Sequence, residues 1–270
     1  MTRIEQIRTL NHILLQEQPR WQAQARAFSA EEGPQRRLLR SLMNVRPPLP
    51  LRPEFLAVQD ALLRAECAEK AVVEADALPV TGADPRLALW QGDITRLRAD
   101  AIVNAANSAL LGCFYPCHSC IDNAIHSAAG LQLREECNRL MRRQGHEEAA
   151  GHAKLTRGYN LPARHVLHTV GPIVQGAVTA RDRAELAACY RACLALAAQQ
   201  QFQTIAFCCI STGEFHFPNR EAAEIAVKTT VDFLQAPSSL RKVIFNVFKD
   251  DDKSIYRALL GPDQAASSGA

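Results

Sequence analysis

Residues 101–130 read AIVNAANSALLGCFYPCHSCIDNAIHSAAG. The apolar, β-branched start of this stretch predicts a strand over residues 99–107, and the end of the stretch predicts a helix over residues 121–130. A long polar loop, Asn104 to Asp122, connects the two elements. In α/β sheets, loops that follow the carboxyl ends of strands and lead into helices collect binding sites. We therefore expect this loop to contribute to a binding site.

The same alternation of strand and helix continues on both sides of this stretch, from Leu87 towards the C-terminus. We predict strands at 86–94, 99–107, 153–161, 164–171, 204–211 and 242–250, and helices at 121–130, 131–145, 181–201, 219–234 and 252–261. Such alternation predicts a mixed α/β sheet that is covered by helices.

The first part of the chain has a different pattern. Apolar residues from Ile4 to Leu14 keep helical spacing, and two further helices are predicted over 34–45 and 53–75. The Pro- and Gly-containing segment 78–86 marks the join to the α/β part. We therefore divide the chain into a helical N-terminal extension (1–80), an α/β domain (81–265) and a small, polar, flexible tail (266–270).

The amino-acid composition limits the classes of protein to which this chain can belong. Apolar residues make up 47% and charged residues 22%, which is typical of a globular protein and argues against disorder. A formal net charge of +3 without a basic stripe disfavours nucleic-acid binding. No apolar run reaches the roughly 18 residues that span a bilayer, and the N-terminus lacks a signal-peptide pattern. We expect a cytoplasmic protein with reduced cysteines and no membrane association, of undetermined oligomeric state.

Three potential metal ligands crowd the first loop. Cys113, His118 and Cys120 follow the spacing C-x4-H-x-C, and thiolate and imidazole are the ligands that zinc prefers. Three protein ligands leave one coordination position open, as in catalytic zinc sites. Two alternatives stay open: Cys117 completes a closed structural site, or all of these groups are free thiols in a cytosolic loop.

A second loop, STGEFHFPN over residues 211–219, lies between a predicted strand and a predicted helix. Small residues there allow backbone N–H groups to point at an anion, and the following helix adds the positive end of its dipole. A diphosphate suits this arrangement, although a simple strand-to-helix turn has the same pattern.

Five segments complete a recognisable pattern: QGDIT, NAANS, CIDNAIHSAAG, STG followed by FP, and FNVFKDDD, in this order. With them, residues 87–260 resemble a macrodomain, the ADP-ribose-binding module. The loop with cysteines and histidine resembles the zinc-containing, chiefly microbial class, as does the helical N-terminal extension. The resemblance implies a three-layer α/β/α fold with a mixed six-stranded sheet, an α-helical N-terminal extension and one Zn²⁺ per chain.

The resemblance also implies where adenine lies. Asp93 would accept a hydrogen bond from the adenine amino group, with the backbone of Ile94 beside it. Asn246 or Phe248, at the end of the last strand, would flank the ring. Two plainer interpretations compete, since Asp93 also suits a turn cap and Phe248 also suits the core.

Ribose and phosphate contacts are implied in the same way. Asn107 would lie near the distal ribose, supported by Asn104, for which a role as a strand cap is the stronger interpretation. The phosphates would lie against backbone N–H groups of Ser211, Thr212, Gly213, Glu214 and Phe215.

The implied function is a zinc-dependent hydrolase that removes mono-ADP-ribose from modified proteins, with Asp or Glu esters as the expected linkage. Asp122 and Asn107 are the catalytic candidates, with Asp122 orienting water or acting as base. We expect the helix N-terminus to lower the pKa of Asp122, which favours the orienting role, and a helix N-cap is its plainer interpretation. Asn123 is a lesser candidate, and His126 is predicted to pack inward.

Three other functions fit the sequence. One is a module that binds ADP-ribose without cleaving it and has a structural zinc. Another is a structural zinc protein that docks partners through its helical extension. The third is a hydrolase of a free ADP-ribose derivative, which would use the same pocket.

Overall fold

A computed structural model of the chain describes residues 1–264. The described residues form nine α-helices and eight strands. After residue 87, strands and helices alternate as predicted. The helices are α1 Arg3–Glu17, α2 Gln22–Ala25, α3 Glu32–Val45, α4 Pro53–Glu69, α5 Ile121–Ala129, α6 Leu131–Gln144, α7 Ala180–Gln199, α8 Asn219–Leu234 and α9 Asp250–Leu260. The strands are β1 Val73–Glu74, β2 Leu87–Gln91, β3 Leu97–Arg98, β4 Ala101–Ala105, β5 Ala153–Arg157, β6 His165–Thr169, β7 Thr204–Phe207 and β8 Lys242–Val247.

The central sheet has six strands in the order β2-β8-β7-β4-β6-β5. All neighbours are parallel except β5, which pairs antiparallel with β6. The parallel strands are buried and consist mainly of consecutive apolar residues, because helices cover both faces of the sheet. The predicted three-layer architecture with a mixed six-stranded sheet is therefore confirmed.

The predicted strand boundaries are too long at their carboxyl ends. β7 ends at Phe207, so Cys208 and Cys209 lie in the segment that turns into the second loop. The strand predicted over 242–250 ends at Val247, and α9 already begins at Asp250. After β7 the apolar pattern continues past the last ladder hydrogen bond because Cys208 and Ile210 remain buried, whereas after β8 the chain leaves the sheet with Phe248 exposed.

The N-terminal helices have a core of their own. Ile7, Leu10, Leu39 and Leu62 are buried within it, and Leu131 at the start of α6 joins the same cluster. The extension is thus packed directly onto the α/β layer through an apolar contact. The helix predicted over 53–75 ends at Glu69, because Ala71 has a φ of 58° and the chain then forms the short strand β1 beside β3.

Two further findings concern the ends and the surface. Within residues 1–264, no helix has the length and apolar content needed to cross a membrane. The predicted tail, residues 266–270, lies outside the described residues.

Candidate active site and metal centre

The candidate site lies at the carboxyl edge of the parallel strands. The loops that follow β2, β4, β7 and β8 all leave the sheet at this edge, because parallel strands end on the same side. They carry, respectively, the GDIT segment, the loop with the cysteines, the STG loop and the segment after Val247. The topology therefore brings together all the segments that sequence reasoning selected.

The three predicted metal ligands converge. One ligand atom from each of Cys113, His118 and Cys120 lies within 4.8 Å of the others. Nδ1 of His118 is buried and has no hydrogen-bond partner in the described part of the chain. A buried nitrogen without a partner is costly, and a cation beside two sulfurs would satisfy it. The donor set and its geometry fit one zinc ion.

Cys120 lies at the N-cap of α5. Its sulfur accepts a hydrogen bond from the backbone N–H of Asn123 at 3.4 Å. Burial raises the pKa of the Cys120 thiol to about 12, so a nearby cation would be needed to ionise it at neutral pH. The helix start supplies a partial positive charge and a donor, both of which favour the thiolate.

Cys117 points away from this cluster. Its Sγ lies 3.3 Å from the hydroxyl of Ser41 and 3.5 Å from the carbonyl oxygen of Arg37, both in α3. Its backbone has a φ of 53°, which turns the chain between the first two ligands. The geometry thus offers three protein ligands, and the arrangement with Cys117 as a fourth ligand finds no support in it.

Asp122 is buried and follows Cys120, one of the three predicted metal ligands, by two residues. Asn104 donates to its Oδ1 at 2.7 Å, and Asn107 donates to its Oδ2 at 3.3 Å. Burial raises the pKa of Asp122 to about 6, against the lowering effect of the Asn104 hydrogen bond. The expectation of a lowered pKa is therefore wrong, because desolvation outweighs the hydrogen bond from Asn104 and the charge of Arg134. The carboxylate also does not cap the helix, since Cys120 occupies that position.

The amide of Asn104 links Asp122 to a buried histidine. Its Nδ2 also lies 3.2 Å from Nδ1 of His168. Because that amide nitrogen donates, His168 carries its proton on Nε2 and donates to the hydroxyl of Thr156 at 2.9 Å. The interpretation of Asn104 as a strand cap is therefore wrong: its side chain bonds two other side chains.

His126 packs inward, as predicted. It is buried beneath the loop, and a Cβ placed at Gly112 would lie 2.9 Å from its ring. Gly112 also has a φ of 79°, so only glycine fits there without strain. This close packing explains the single glycine in the loop.

Asp93 forms a turn and also faces the extension. Its Oδ1 accepts from the backbone N–H of Thr95 at 3.0 Å and from the Thr95 hydroxyl at 2.6 Å. Its Oδ2 lies 3.6 Å from Nζ of Lys70, at the end of α4. The turn-cap interpretation is confirmed, and the side chain of Asp93 stays partly exposed. Ile94 is buried beside it.

The STG loop presents free backbone donors. The N–H groups of residues 212–215 donate to no acceptor within residues 1–264. Ser211 is buried with a φ of 64°, and its hydroxyl has no partner there either. A left-handed residue before several free amides is the geometry of an anion-binding nest. The carboxylate of Glu214 lies 3.6 Å from Nε2 of His118, so this loop touches the metal loop, residues 113–120, which carries the three predicted ligands.

The two candidates at the end of β8 take different positions. Nδ2 of Asn246 donates to the carbonyl oxygens of Gly92 at 3.0 Å and Trp90 at 3.4 Å, so it braces the GDIT turn. Phe248 is 76% exposed at the carboxyl edge. The core interpretation of Phe248 is therefore wrong.

Sequence reasoning missed the side chains that reach this edge from the N-terminal helices. Arg40 and Asn44 of α3 bond to the loop with the predicted metal ligands, and Lys70, directly after α4, faces Asp93. No local motif marks these residues, because their partners lie 23 or more positions away in the sequence.

The comparisons with known proteins agree with this geometry. The sequence profile of the Macro domain family matches residues 103–226. A protein-ADP-ribose hydrolase of Treponema medium is 48% identical over 96% of this chain and 100% of its own length. The chain belongs to the macrodomain family. A second relative, the protein-ADP-ribose hydrolase of Staphylococcus aureus strain MRSA252, is 50% identical over 84% of this macrodomain chain and 85% of its own length.

A solved structure resembles this macrodomain as well. The Trypanosoma brucei macrodomain in complex with ADP-ribose matches with a TM-score of 0.64 and 33% identity. The match covers 82% of this chain and 95% of that chain. Residues 81–264 are 184 of the 270 residues, about two thirds of the chain. A match over 82% of the chain must therefore include part of the helical extension.

Proposed function

We propose that this macrodomain is a zinc-dependent protein-ADP-ribose hydrolase that releases mono-ADP-ribose from acidic side chains of modified proteins. The observation that carries the proposal is the convergence of Cys113, His118 and Cys120 within 4.8 Å, beside the buried carboxylate of Asp122. The relatives named protein-ADP-ribose hydrolase support the reaction class.

Each part of ADP-ribose has a candidate partner at the carboxyl edge. The adenine amino group would donate to the second oxygen of Asp93, beside Ile94. The phosphates would accept from the free N–H groups of residues 212–215. The distal ribose would then lie near Asn107 and the metal ligands, because the STG loop touches the metal loop through Glu214.

The reaction consumes one water molecule. The bond between C1 of the distal ribose and the acidic side chain is replaced by a hydroxyl on the sugar and a carboxylate on the protein. Zinc held by Cys113, His118 and Cys120 would supply Lewis acidity at the ribose. Asp122 would orient the water and accept its proton, since its carboxylate is fixed by two amide donors and its pKa lies near 6.

The extended loop of this chain offers a matched set of variants. Cys113→Ala and Cys120→Ala each remove a proposed ligand, whereas Cys117→Ala removes a thiol that contacts α3 instead. We expect the first two to lose bound zinc and ADP-ribose release together while the fold persists. Cys117→Ala keeps both. Zinc content and release of ADP-ribose from a protein modified on Asp or Glu are the measurements.

Other outcomes separate the alternatives. Variants that lack zinc and retain full release would contradict the role of the metal. Tight binding of free ADP-ribose without any release would indicate a non-catalytic binding module. Hydrolysis of a free ADP-ribose derivative, but not of the modified protein, would indicate a metabolite hydrolase with the same pocket.

A further inference from the structure

The C-terminal half of α3 lies against the metal loop, residues 113–120. Arg40 donates from Nη2 to the carbonyl oxygen of His118 at 3.0 Å. Its Nε and Nη2 also donate to Oδ1 of Asn123, at 3.1 Å and 2.7 Å. A single guanidinium from the N-terminal extension thus holds the backbone of one proposed zinc ligand and a side chain of α5.

Asn123 connects Arg40 to further residues of the metal loop. Its Nδ2 donates to the carbonyl oxygen of Tyr115 at 3.0 Å, and its backbone N–H donates to the sulfur of Cys120. Arg40 and Asn123 together therefore fix two carbonyl groups between the first and the last proposed ligand. Asn123 is fully buried, so its orientation depends on these partners rather than on water.

A second residue of α3 holds the middle of the loop. Oδ1 of Asn44 accepts from the backbone N–H of Cys117 at 2.9 Å, and Nδ2 of Asn44 donates to the hydroxyl of Ser127 at 3.1 Å. The left-handed backbone of Cys117 is costly for a residue with a side chain. This hydrogen bond from buried Asn44 compensates for it.

Arg134 of α6 ties the end of α3 to the start of the loop. Its Nη1 donates to the carbonyl oxygens of Met43, Asn44 and Arg46, at 2.9, 2.8 and 2.6 Å. Its Nε donates to the carbonyl oxygen of Leu111 at 2.6 Å. The last carbonyls of a helix lack partners within the helix, so this arginine completes α3 where it meets the loop. The end of α3 therefore has a fixed position relative to the ligands.

We propose that α3 is the outer wall of the metal centre and that Arg40 is a positioning residue for zinc. The inference rests on the proposed function, in which the metal is zinc. The metal loop has no regular secondary structure, so its ligands depend on contacts from outside it. Groups that orient zinc ligands from behind typically change metal affinity by about 10- to 100-fold when removed. The N-terminal extension is then required for a preorganised site.

The test compares two arginines of one helix in the full chain. Arg40→Met removes the donors and keeps the length of the side chain. Arg36→Met is the control one turn earlier, because Arg36 pairs with Glu66 inside the extension and does not contact the loop. Zinc affinity is measured by competition with a chromophoric chelator, together with the rate of zinc loss to excess chelator and the thermal midpoint.

We expect Arg40→Met to bind zinc about tenfold more weakly and to lose it faster, whereas Arg36→Met retains the zinc affinity of the intact chain. Arg40→Lys is the second variant, in case Arg40→Met does not fold. A single ammonium cannot serve both acceptors in the geometry of the guanidinium, so we expect an affinity below that of the intact chain.

The outcomes separate the two proposals. Equal zinc affinity and equal rates of zinc loss in Arg40→Met, or in Arg40→Lys if only that variant folds, would overturn the role of Arg40. An equal loss of affinity in Arg36→Met would overturn it too, since the effect would then come from the stability of the extension. An intact chain that binds no zinc would overturn the proposed metal function, and this inference with it.

Discussion

Nδ2 of Asn104 donates to Oδ1 of Asp122 across 2.7 Å, and both residues are buried. The bond joins the end of β4 to the first turn of α5, on either side of the metal loop. Because Asn104 is also bonded to His168, the carboxylate has one fixed orientation. The proposed base and the proposed ligands therefore share a single rigid support.

Asp122→Asn tests the carboxylate without changing its shape. An amide cannot accept a proton, so we expect the rate of ADP-ribose release to fall about 100-fold or more. Affinity for free ADP-ribose and zinc content stay close to those of the intact chain. The measurements are single-turnover release and calorimetric titration. A variant that keeps the full release rate would remove Asp122 from the mechanism.

Asp93→Asn tests the adenine contact while retaining the turn. The new oxygen still accepts from Thr95, but the second position becomes an amide donor. Because hydrogen bonds to charged groups contribute about 1.5–3 kcal/mol, we expect at least a tenfold loss of ADP-ribose affinity without a change in thermal midpoint. An analogue with hypoxanthine in place of adenine lacks the amino donor and is the control ligand. A similar loss of affinity for both ligands would contradict the contact.

Gly171→Ala tests the support of the STG loop. A Cβ at Gly171 would lie 2.0 Å from Oγ of Ser211 and 2.8 Å from Ile210, so the start of the loop must move. We expect a stability loss of about 1–3 kcal/mol and weaker ADP-ribose binding. Gly33→Ala is the control, because nothing lies within 4 Å of its Cβ position. If the loop is displaced through Ser211, a second change, Ser211→Ala, recovers part of the stability.

The buried His168 predicts a dependence of stability on pH. Burial lowers the pKa of His168 to about 3, below its ordinary value of 6.5. Between pH 6.5 and pH 3, His168 therefore binds a proton in the unfolded chain but stays neutral in the folded chain. The contribution of this histidine to stability is complete above pH 6.5 and declines towards pH 3, by up to about 1.4 kcal/mol per pH unit.

His168→Gln removes the contribution of this histidine to the pH dependence. We expect the variant to lose less stability than the intact chain between pH 6.5 and pH 4.5, although its stability near pH 7 is lower because a buried hydrogen-bonding group has been replaced. His152→Gln, at a mostly exposed position, is the control and retains the slope of the intact chain. Denaturant midpoints are measured with chelator in all samples. Parallel pH slopes for the intact chain and His168→Gln would contradict the burial argument.

Periodicity and turn residues were enough to predict the α/β layer. The strands are short apolar runs between Gly, Pro and Asn, so the sheet, its helices and the carboxyl-edge loops follow from local sequence. The convergence of Cys113, His118 and Cys120 was also predictable, because the three residues lie within eight positions of one another. For a site of this kind, the spacing of the residues in the sequence is nearly sufficient for the prediction.

What the sequence did not predict depends on contacts between distant residues. The pKa of Asp122 is set by burial, which the position at a helix start does not reveal. Asn104 has the local pattern of a strand cap, yet its partner lies on α5. Arg40 is one of many arginines in a helix, and only the packing of the extension onto the metal loop distinguishes it.

In the proposed function, release of ADP-ribose requires zinc at Cys113, His118 and Cys120. The most direct measurement is release from a protein that is mono-ADP-ribosylated on acidic side chains, before and after zinc removal by a chelator and again after zinc is restored. We expect release to stop on zinc removal and to return with one zinc ion per chain. Undiminished release from chain that is verified to be free of metal would contradict it.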